Sequence, residues 1–557
     1  MEKRVSIRRD SRNKEFVIPI LVLLIIVLSG FYIRINGLAD LGLGFDEPIH
    51  IYAAKSILET GGPTLPSGKK YDRALPFTYS VALSFKLFGV NEFSARLPSV
   101  IFGTLSIILI FFIGKSFFET KVGLIAAFLM AFLPFEIVWS RACRMYSMYQ
   151  FFLVLGFFAF YKGFEDNNER SKLSKNSLLY RIPVLMDWNL NLLWLFFSGV
   201  ALYIAFALQT QAAIFYVCVL SYLFCMFIIS FINKGFRQSL GTKYFLSFLV
   251  LVILIIIGLA IPDVYRFAKR LYEFSPSWTK NIRISPTAHF NFLISSHMFP
   301  VMAFFIMGTI QVCTKVNKAG FYTLTSVAIT LFLHSFFASV QRPRYIYDIF
   351  PLILLISAYA MYNFFKSELK RLYAVLDKYL NKYQLIKKLS PVLLAFMLVT
   401  SFLYISPGFR NAIRIPSLQA YDFGGEYNVQ WKEACQYVKN HYSPGDVIIA
   451  SIPLAADYYG CGTVEYNLNN GEIDQFRKVE GNRFQLDAFS NTKAIVNLDD
   501  LKEVLLKNPR GWLILDAQRF QNPATVPKDV REFITKNTLY HTIKTDGTIF
   551  IFSWGKL

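Results

Sequence analysis

Apolar positions in this chain come in long uninterrupted blocks rather than in short alternating periods. Runs of roughly 18–22 mostly apolar residues are each long enough to cross a hydrocarbon core of ~30 Å. They recur near 16–36, 97–116, 122–140, 146–163, 190–209, 212–232, 244–262, 297–313, 320–339, 346–364 and 391–406. The pattern predicts a polytopic α-helical membrane protein with about eleven transmembrane helices.

Between the first two runs the pattern changes. Pro48 can open a helix "PIHIYAAKSILET" that Gly61 and Gly62 would close. Ile49, Tyr52, Ala53 and Ile57 share one face of that helix, with His50, Lys55 and Glu59 pointing elsewhere. "PFTYSVALSFKLFG" has similar length and character. Both are too short to span, so they are expected to lie in the membrane interface.

The tail follows another pattern. "QWKEACQYVKNHYSPGDVIIAS" and "LDDLKEVLLKNPRGWLILD" each read as helix, turn, strand, and "LYHTIKTDGTIFIFSW" reads as a hairpin around Asp546-Gly547. The expected organisation is a transmembrane domain over 1–406 and an extracytoplasmic, soluble α/β domain over 407–557. The tail holds no phosphate-binding glycine loop, nucleophile elbow or metal-ligand cluster.

Composition and charge then refine the topology. The chain has 557 residues, 54% of them hydrophobic, with a formal net charge of +21. Such a charge suits nucleic acid, but here the basic residues gather between apolar runs, so lipid headgroups are the expected partner and nucleic acid is not. Lys3, Arg4, Arg8, Arg9, Arg12 and Lys14 precede the first run, which lacks a small-residue cleavage site and is expected to stay as a span with a cytoplasmic N-terminus. Threading from there puts "EDNNERSKLSKNSLLYR", "NKGFRQSLGTK", "KVNKAG" and "KSELKRLYAVLDKYLNKYQLIKK" inside. Residues 37–96, 263–296 and the tail fall outside. No retention signal ends the chain, and a prokaryotic plasma membrane is the expected location. Cys435 and Cys461 could pair if the tail is outside, whereas Cys143, Cys218, Cys225 and Cys313 lie in or beside apolar runs.

Candidate chemistry gathers on the outer side. Asp46 and Glu47 sit just before Pro48. Helix capping explains one carboxylate there but not two at the mouth of a bundle, where charge is expensive unless used or paired. "WSRACRMYS" brings Arg141, Arg144 and Tyr146 to the outer boundary, where the positive-inside rule predicts few arginines; snorkelling toward lipid is the plainer reading. "QRPRYIYDIFP" brings Arg342, Arg344 and Tyr345 to the same side. Two such arginine loops suggest an anionic ligand, because a guanidinium binds two phosphate oxygens at once. "KKYDRALPFTYS" adds Asp72 and Arg73, which on their own would read as a solvated charge cluster. His334, within an apolar run, reads as a satisfied core histidine.

Four stretches in order, "GFDEPIHIYAAKSILETGG", "YDRALPFTYSVALSFKLFGVNEFSARLPSVIFGTLSI", "SRACRMYSMYQ" and "RPRYIYDIFPLILL", resemble the GT-C glycosyltransferases that use polyprenyl-phosphate sugars. Protein O-mannosyltransferases and lipid A aminoarabinose transferases are similar in pattern over roughly residues 15–365. The resemblance implies that Asp46 is the catalytic base and Glu47 its acidic neighbour. Arg141 and Arg144 would orient the acidic pair or the phosphate, and Arg344 with Tyr345 would lie near the lipid phosphate. Those relatives often run an acidic residue, a lysine and prolines together, whereas here Ala74 and Leu75 separate Arg73 from Pro76, which leaves Arg73's phosphate role open.

The expected activity is transfer of one sugar from a polyprenyl-phosphate donor to a hydroxyl of a protein, lipid or glycan acceptor, with inversion and one carboxylate base. No cofactor is required by this chemistry, and a divalent cation is compatible with it. Glu47→Gln is expected to be milder than Asp46→Asn if Glu47 only orients its neighbour. Alternatives are transfer of an oligosaccharide from a diphosphate carrier, a transporter of lipid-linked or small anionic substrates, and a non-catalytic scaffold.

Overall fold

The structure, a computed structural model, describes residues 2–165, 190–232, 238–260, 287–295, 298–315, 317–337, 342–379, 425, 428–469, 476–478, 483–542 and 547–555. The chain divides into two compact units. One comprises Met1–Arg34, Val100–Ser140 and Met145–Ile415, and the other Ile35–Ser99, Arg141–Arg144 and Pro416–Leu557.

The first part of the chain forms α1 (Glu2–Ile35), α2 (Glu47–Thr60), α3 (Leu75–Phe88), α4 (Glu92–Phe117), α5 (Thr120–Phe132), α6 (Pro134–Ser140) and α7 (Tyr146–Phe164). Then come α8 (Leu192–Leu208), α9 (Ile214–Ile232), α10 (Gln238–Ala260), α11 (Ala288–Leu293), α12 (Phe299–Lys315), α13 (Lys318–Phe337) and α14 (Phe350–Tyr379). Among the described residues, five segments, in α1, α4, α10 and α13 and over Thr210–Ile232 including α9, are long and apolar enough to cross a membrane, and the bent pair α5–α6 makes a sixth. Shorter apolar helices, α8 and α12, fill two more of the expected positions. The expected span at 391–406, the basic loop at 164–189 beyond Glu165 and most of the 263–296 loop lie outside the described residues.

The run at 122–140 is not one straight helix. It breaks between α5 and α6 with a bend of 61°. Pro134 has no N–H for the Met130 carbonyl four residues earlier, and the bend also takes the donor from Ala131. Arg34, at the end of α1 and fully buried, supplies both: Nη2 donates to Met130 O and Nη1 to Ala131 O, each at 2.9 Å. Hydrocarbon cannot satisfy a free carbonyl, so a side chain must.

The second unit is built on an eight-stranded sheet in the order β3-β4-β5-β2-β1-β6-β8-β7. Its strands are β1 (Val447–Ala450), β2 (Val464–Leu468), β3 (Phe476–Arg477), β4 (Leu486–Asp487), β5 (Lys493–Ile495), β6 (Gly511–Asp516), β7 (Leu539–His541) and β8 (Ile549–Trp554). β5, β2, β1 and β6 run parallel, and the flanking strands are antiparallel. The helices are α15 (Trp431–His441), α16 (Pro453–Tyr458), α17 (Leu498–Lys507), α18 (Ala517–Gln521) and α19 (Lys528–Asn537). The helix–turn–strand pairs read from the sequence are α15–β1 and α17–β6, and the terminal hairpin is β7–β8. Side chains alternate between the faces: Ile448, Ala450, Trp512 and Ile514 pack with α15, while Val447, Ile449, Leu513 and Leu515 pack with α17 and α19. Both faces of the sheet are therefore covered, as a parallel sheet requires. Cys435 and Cys461 form a disulfide inside the first of these cores.

The same unit contains the two helices expected in the first outer loop. α2 closes at Gly61, whose φ of +82° is open to glycine and whose N–H returns to Ile57 O. Its buried residues are Glu47, Pro48, His50, Ile51, Ala53 and Ala54; of the expected face only Ala53 is buried, while Ile49, Tyr52 and Ile57 are half-buried. The reason is that two polar residues point inward because partners wait for them, as described below. On α3, Tyr79, Leu83 and Leu87 form an outward apolar stripe, 47%, 58% and 65% exposed. A greasy stripe on a helix of 14 residues suits a membrane interface.

Candidate active site

The stretch "LGLGFDE" is held against the sheet unit by backbone contacts. Gly42 lies so close to Val429 that an added Cβ would sit 1.8 Å from its carbonyl oxygen, so only glycine fits. Asn428 Nδ2 donates to Gly42 O at 2.9 Å, and Leu43 N donates to Tyr459 Oη at 3.2 Å. Phe45 packs on the core under α15 and carries the Arg519 guanidinium 3.7 Å from its ring centre. Asp46 and Glu47 follow at once, on a fixed support.

The two carboxylates have opposite fates. Glu47 is 1% exposed and accepts from Arg96 Nε at 2.9 Å, Arg96 Nη2 at 2.7 Å, Gly44 N at 2.7 Å and Cys143 N at 2.6 Å. Burial pushes its carboxyl up, but the Arg96 charge and these hydrogen bonds outweigh that and hold it below the usual range. Arg96, on α4, also donates to the carbonyls of Leu38, Leu41 and Gly42 at 2.8–2.9 Å. Four acceptor positions on one carboxylate are all filled. Glu47 is thus a knot tying α2, α4 and the 141–144 segment, rather than a side chain with oxygens to spare.

Asp46 retains 18% of its side-chain surface and pairs with Arg144 Nη2 at 3.0 Å. It occupies the N-cap position of α2 but makes no capping hydrogen bond from its side chain. Capping therefore does not explain its presence.

The other expected residues are placed as follows. Arg141 donates through Nη1 to Asn36 O at 2.5 Å and through Nη2 to Gly37 O at 2.9 Å, holding the turn after α1. Asp72 and Arg73 are exposed on the loop before α3. Ala74 follows in a left-handed conformation, φ 49° and ψ 41°, which costs a residue with a Cβ about 1 kcal/mol. In the other unit, Tyr146 opens α7 and packs edge-on to Trp139 at 4.7 Å. Arg342 is exposed. Arg344 lies 5.1 Å from the Tyr345 ring centre, with Nη2 3.3 Å from its hydroxyl. The Tyr345 ring faces His334, which is buried as expected; among the described residues its Nε2 has no hydrogen-bond partner.

Reasoning from sequence missed Arg96. The signal was present: Arg96 precedes the second span on the side that the sequence topology expects to be outside, where arginines are scarce, the criterion that singled out Arg141 and Arg144. It also missed His50 and Tyr71. His50 lies 3.2 Å from Thr78 Oγ1 and 3.4 Å from Tyr71 Oη. Among the described residues no group of three or more His, Cys, Asp or Glu could hold a metal ion.

The family model for dolichyl-phosphate-mannose-protein mannosyltransferase matches residues 72–174. An uncharacterized protein of Aquifex aeolicus is 23% identical over 361 residues, 61% of this chain and 79% of its own length. Among solved structures, ArnT from Cupriavidus metallidurans bound to undecaprenyl phosphate is similar with a TM-score of 0.55 at 10% identity, over 97% of this chain and 99% of that one. The archaeal oligosaccharyltransferase AglB from Archaeoglobus fulgidus, in complex with an inhibitory peptide and a dolichol-phosphate, gives a TM-score of 0.58 at 13% identity, over 96% and 74%. The likeness establishes the fold, which is that of ArnT and AglB: a polytopic helical membrane protein with two short helices between its first two apolar helices and a C-terminal α/β domain.

Proposed function

We propose that this chain is a membrane glycosyltransferase that moves one sugar from a polyprenyl phosphate to an acceptor hydroxyl, with Asp46 as the base. The observation that carries the reading is the split within the acidic pair. Glu47 is consumed by Arg96 and two backbone N–H groups, whereas Asp46 keeps water access and stands beside Arg144. Two solved structures of the same fold, one with undecaprenyl phosphate and one with a dolichol-phosphate, support a lipid-phosphate carrier.

The chemistry follows from these groups. The acceptor oxygen attacks the anomeric carbon from the face opposite the phosphate, and the anomeric C–O bond breaks. The bonding pair leaves with the phosphate oxygen, turning a diester monoanion into a monoester dianion. The acceptor's proton passes to Asp46. A guanidinium stabilises the leaving charge without supplying a proton, which is the part proposed for Arg144 and for Arg344. Direct displacement with one base inverts the anomeric centre. Arg141, Tyr146, Arg342, Tyr345, Asp72 and Arg73 are proposed as the surroundings of donor and acceptor. The disulfide suits an oxidising compartment, which favours an extracytoplasmic site.

The test is mass spectrometry of lipid co-purifying with the Asp46→Asn variant, which should retain unreacted donor. A polyprenyl phosphate carrying a single sugar is the expected result. A diphosphate-linked oligosaccharide, or no lipid-linked sugar at all, would contradict the proposal.

A further inference from the structure

Near the Asp46–Arg144 pair lies a chain of three hydrogen-bonding side chains that the transfer mechanism does not use. His50 is 1% exposed, with Nδ1 3.2 Å from Thr78 Oγ1 and Nε2 3.4 Å from Tyr71 Oη. Tyr71 and Phe77 press on its ring edge-on, at 5.4 Å and 5.1 Å between centres, so the imidazole is fixed in orientation. All of these residues belong to one compact unit.

The direction of the hydrogen bonds follows from their ends. Thr78 Oγ1 lies 3.4 Å from Ala74 O, an atom that only accepts, so the Thr78 proton points there. The Thr78 oxygen then accepts from His50 Nδ1–H. With its proton on Nδ1, His50 has a lone pair on Nε2, which accepts the Tyr71 O–H. Burial, with the positive charge of Arg144 adding to it, pushes the imidazole down to about 3, so it stays neutral and holds this tautomer. With Nδ1 on Thr78 and Nε2 on Tyr71, both ring nitrogens are engaged, and the part left to the imidazole is orientation. The phenol is a neutral group as well: burial pushes it up to about 12, against the pull of Arg144 and Arg73. Its proton is committed to His50, so the lone pairs of its oxygen are what it offers. Tyr71 is half-buried, with Arg144, Arg73 and Asp46 in electrostatic reach.

We propose that Tyr71 is a substrate-binding residue whose phenol oxygen accepts a hydrogen bond from a hydroxyl group of the sugar or of the acceptor, and that His50 is the positioning residue that aims it. This rests on the transferase reading above. It adds a contact specific for hydroxyl groups to a site otherwise made of charges for phosphate and proton.

The test uses the full-length protein in lipid bilayers with undecaprenyl phosphate carrying mannose, glucose or an aminopentose, taking whichever supports transfer. Tyr71→Phe removes only the oxygen and is expected to melt at the wild-type temperature. One neutral hydrogen bond corresponds to roughly 3- to 10-fold in KM. A rise in KM for the lipid donor assigns the hydroxyl to the sugar, and a rise for the acceptor assigns it there. Inhibition by plain undecaprenyl phosphate, which has no sugar hydroxyl, should not change in either case. His50→Ala should reproduce the Tyr71→Phe effect without adding to it in the double variant, while His50→Gln, which keeps an acceptor at the Nε2 position, should restore most of it. Unchanged KM for both substrates in Tyr71→Phe would overturn the inference and leave the transferase reading intact if Asp46→Asn abolishes transfer. Absence of transfer from every donor by the wild-type protein would overturn both.

Discussion

Glu47 and Arg96 face each other through two hydrogen bonds of 2.9 and 2.7 Å, both side chains at most 2% exposed. The pair is an internal fastening: Arg96 spends its remaining donors on three backbone carbonyls, and Glu47 its remaining acceptors on Gly44 and Cys143. This changes what Glu47→Gln should do. The amide cannot balance the buried guanidinium, so folding should weaken by about 3–5 kcal/mol rather than activity weakening mildly. Thermal unfolding of the purified variant checks it. Adding Arg96→Met should recover part of the loss.

The same pair sets an acid limit. A carboxyl held below its unfolded value contributes stability above that value, about 4.3, and loses the contribution as pH falls through the lower folded value. Wild-type melting temperature should therefore drop in that acid window, and Glu47→Gln should flatten that part of the profile. Unfolding scans across the acid range measure it.

Arg34 fastens the break between α5 and α6. Arg34→Leu leaves the Met130 and Ala131 carbonyls without donors, at about 1–3 kcal/mol each. Arg34→Lys should recover less than half, since an ammonium on a single stem lacks the fork that reaches both. Thermal unfolding in a lipid bilayer distinguishes the two.

Reduction should loosen the sheet unit. Cys435 and Cys461 are separated by 26 positions, a loop whose closure is worth about 3 kcal/mol in the unfolded chain. The Cys435→Ser, Cys461→Ser double variant should melt lower than wild type and lose its sensitivity to dithiothreitol.

How far the sequence revealed all this depended on the range of each interaction. The interfacial helices were legible because their signals are local: Pro48 inside the first turn and Gly61 after the last. So were α15–β1 and α17–β6, from period and turn residues. The face of α2 was not, because His50 and Glu47 turn inward for partners far along the chain. Thr78 is 28 residues away, Arg96 49 and Cys143 96. A hydrophobic stripe cannot anticipate a buried ion pair. The acidic pair itself was legible, but which member is buried depends on Arg96, which reads in the sequence as the start of an ordinary span. The bend in the third span was signalled by Pro134, and its tolerance by nothing near it, since Arg34 lies 97 residues before Ala131.

The two arginines proposed for the phosphate, Arg144 and Arg344, should separate by substitution. Arg344→Ala should raise KM for the donor by roughly 10- to 100-fold, the worth of a charge-assisted hydrogen bond, and Arg344→Lys should rescue it in part. Arg144→Ala should lower kcat more than it raises KM, because it orients Asp46 as well. Steady-state transfer assays resolve the two parameters.

The most direct measurement is the transfer rate of Asp46→Asn alongside its affinity for the lipid donor. Asp46 makes no cap and is more exposed than Glu47, so the amide, which still offers Arg144 an oxygen, should cost far less stability than Glu47→Gln. It keeps the shape but cannot take the acceptor's proton, and loss of a general base typically costs about 10²–10⁴-fold in rate. The account predicts a variant that binds donor like the wild type and transfers sugar at under about 1% of its rate. Near-normal transfer with normal donor binding would contradict it and remove Asp46 as the base.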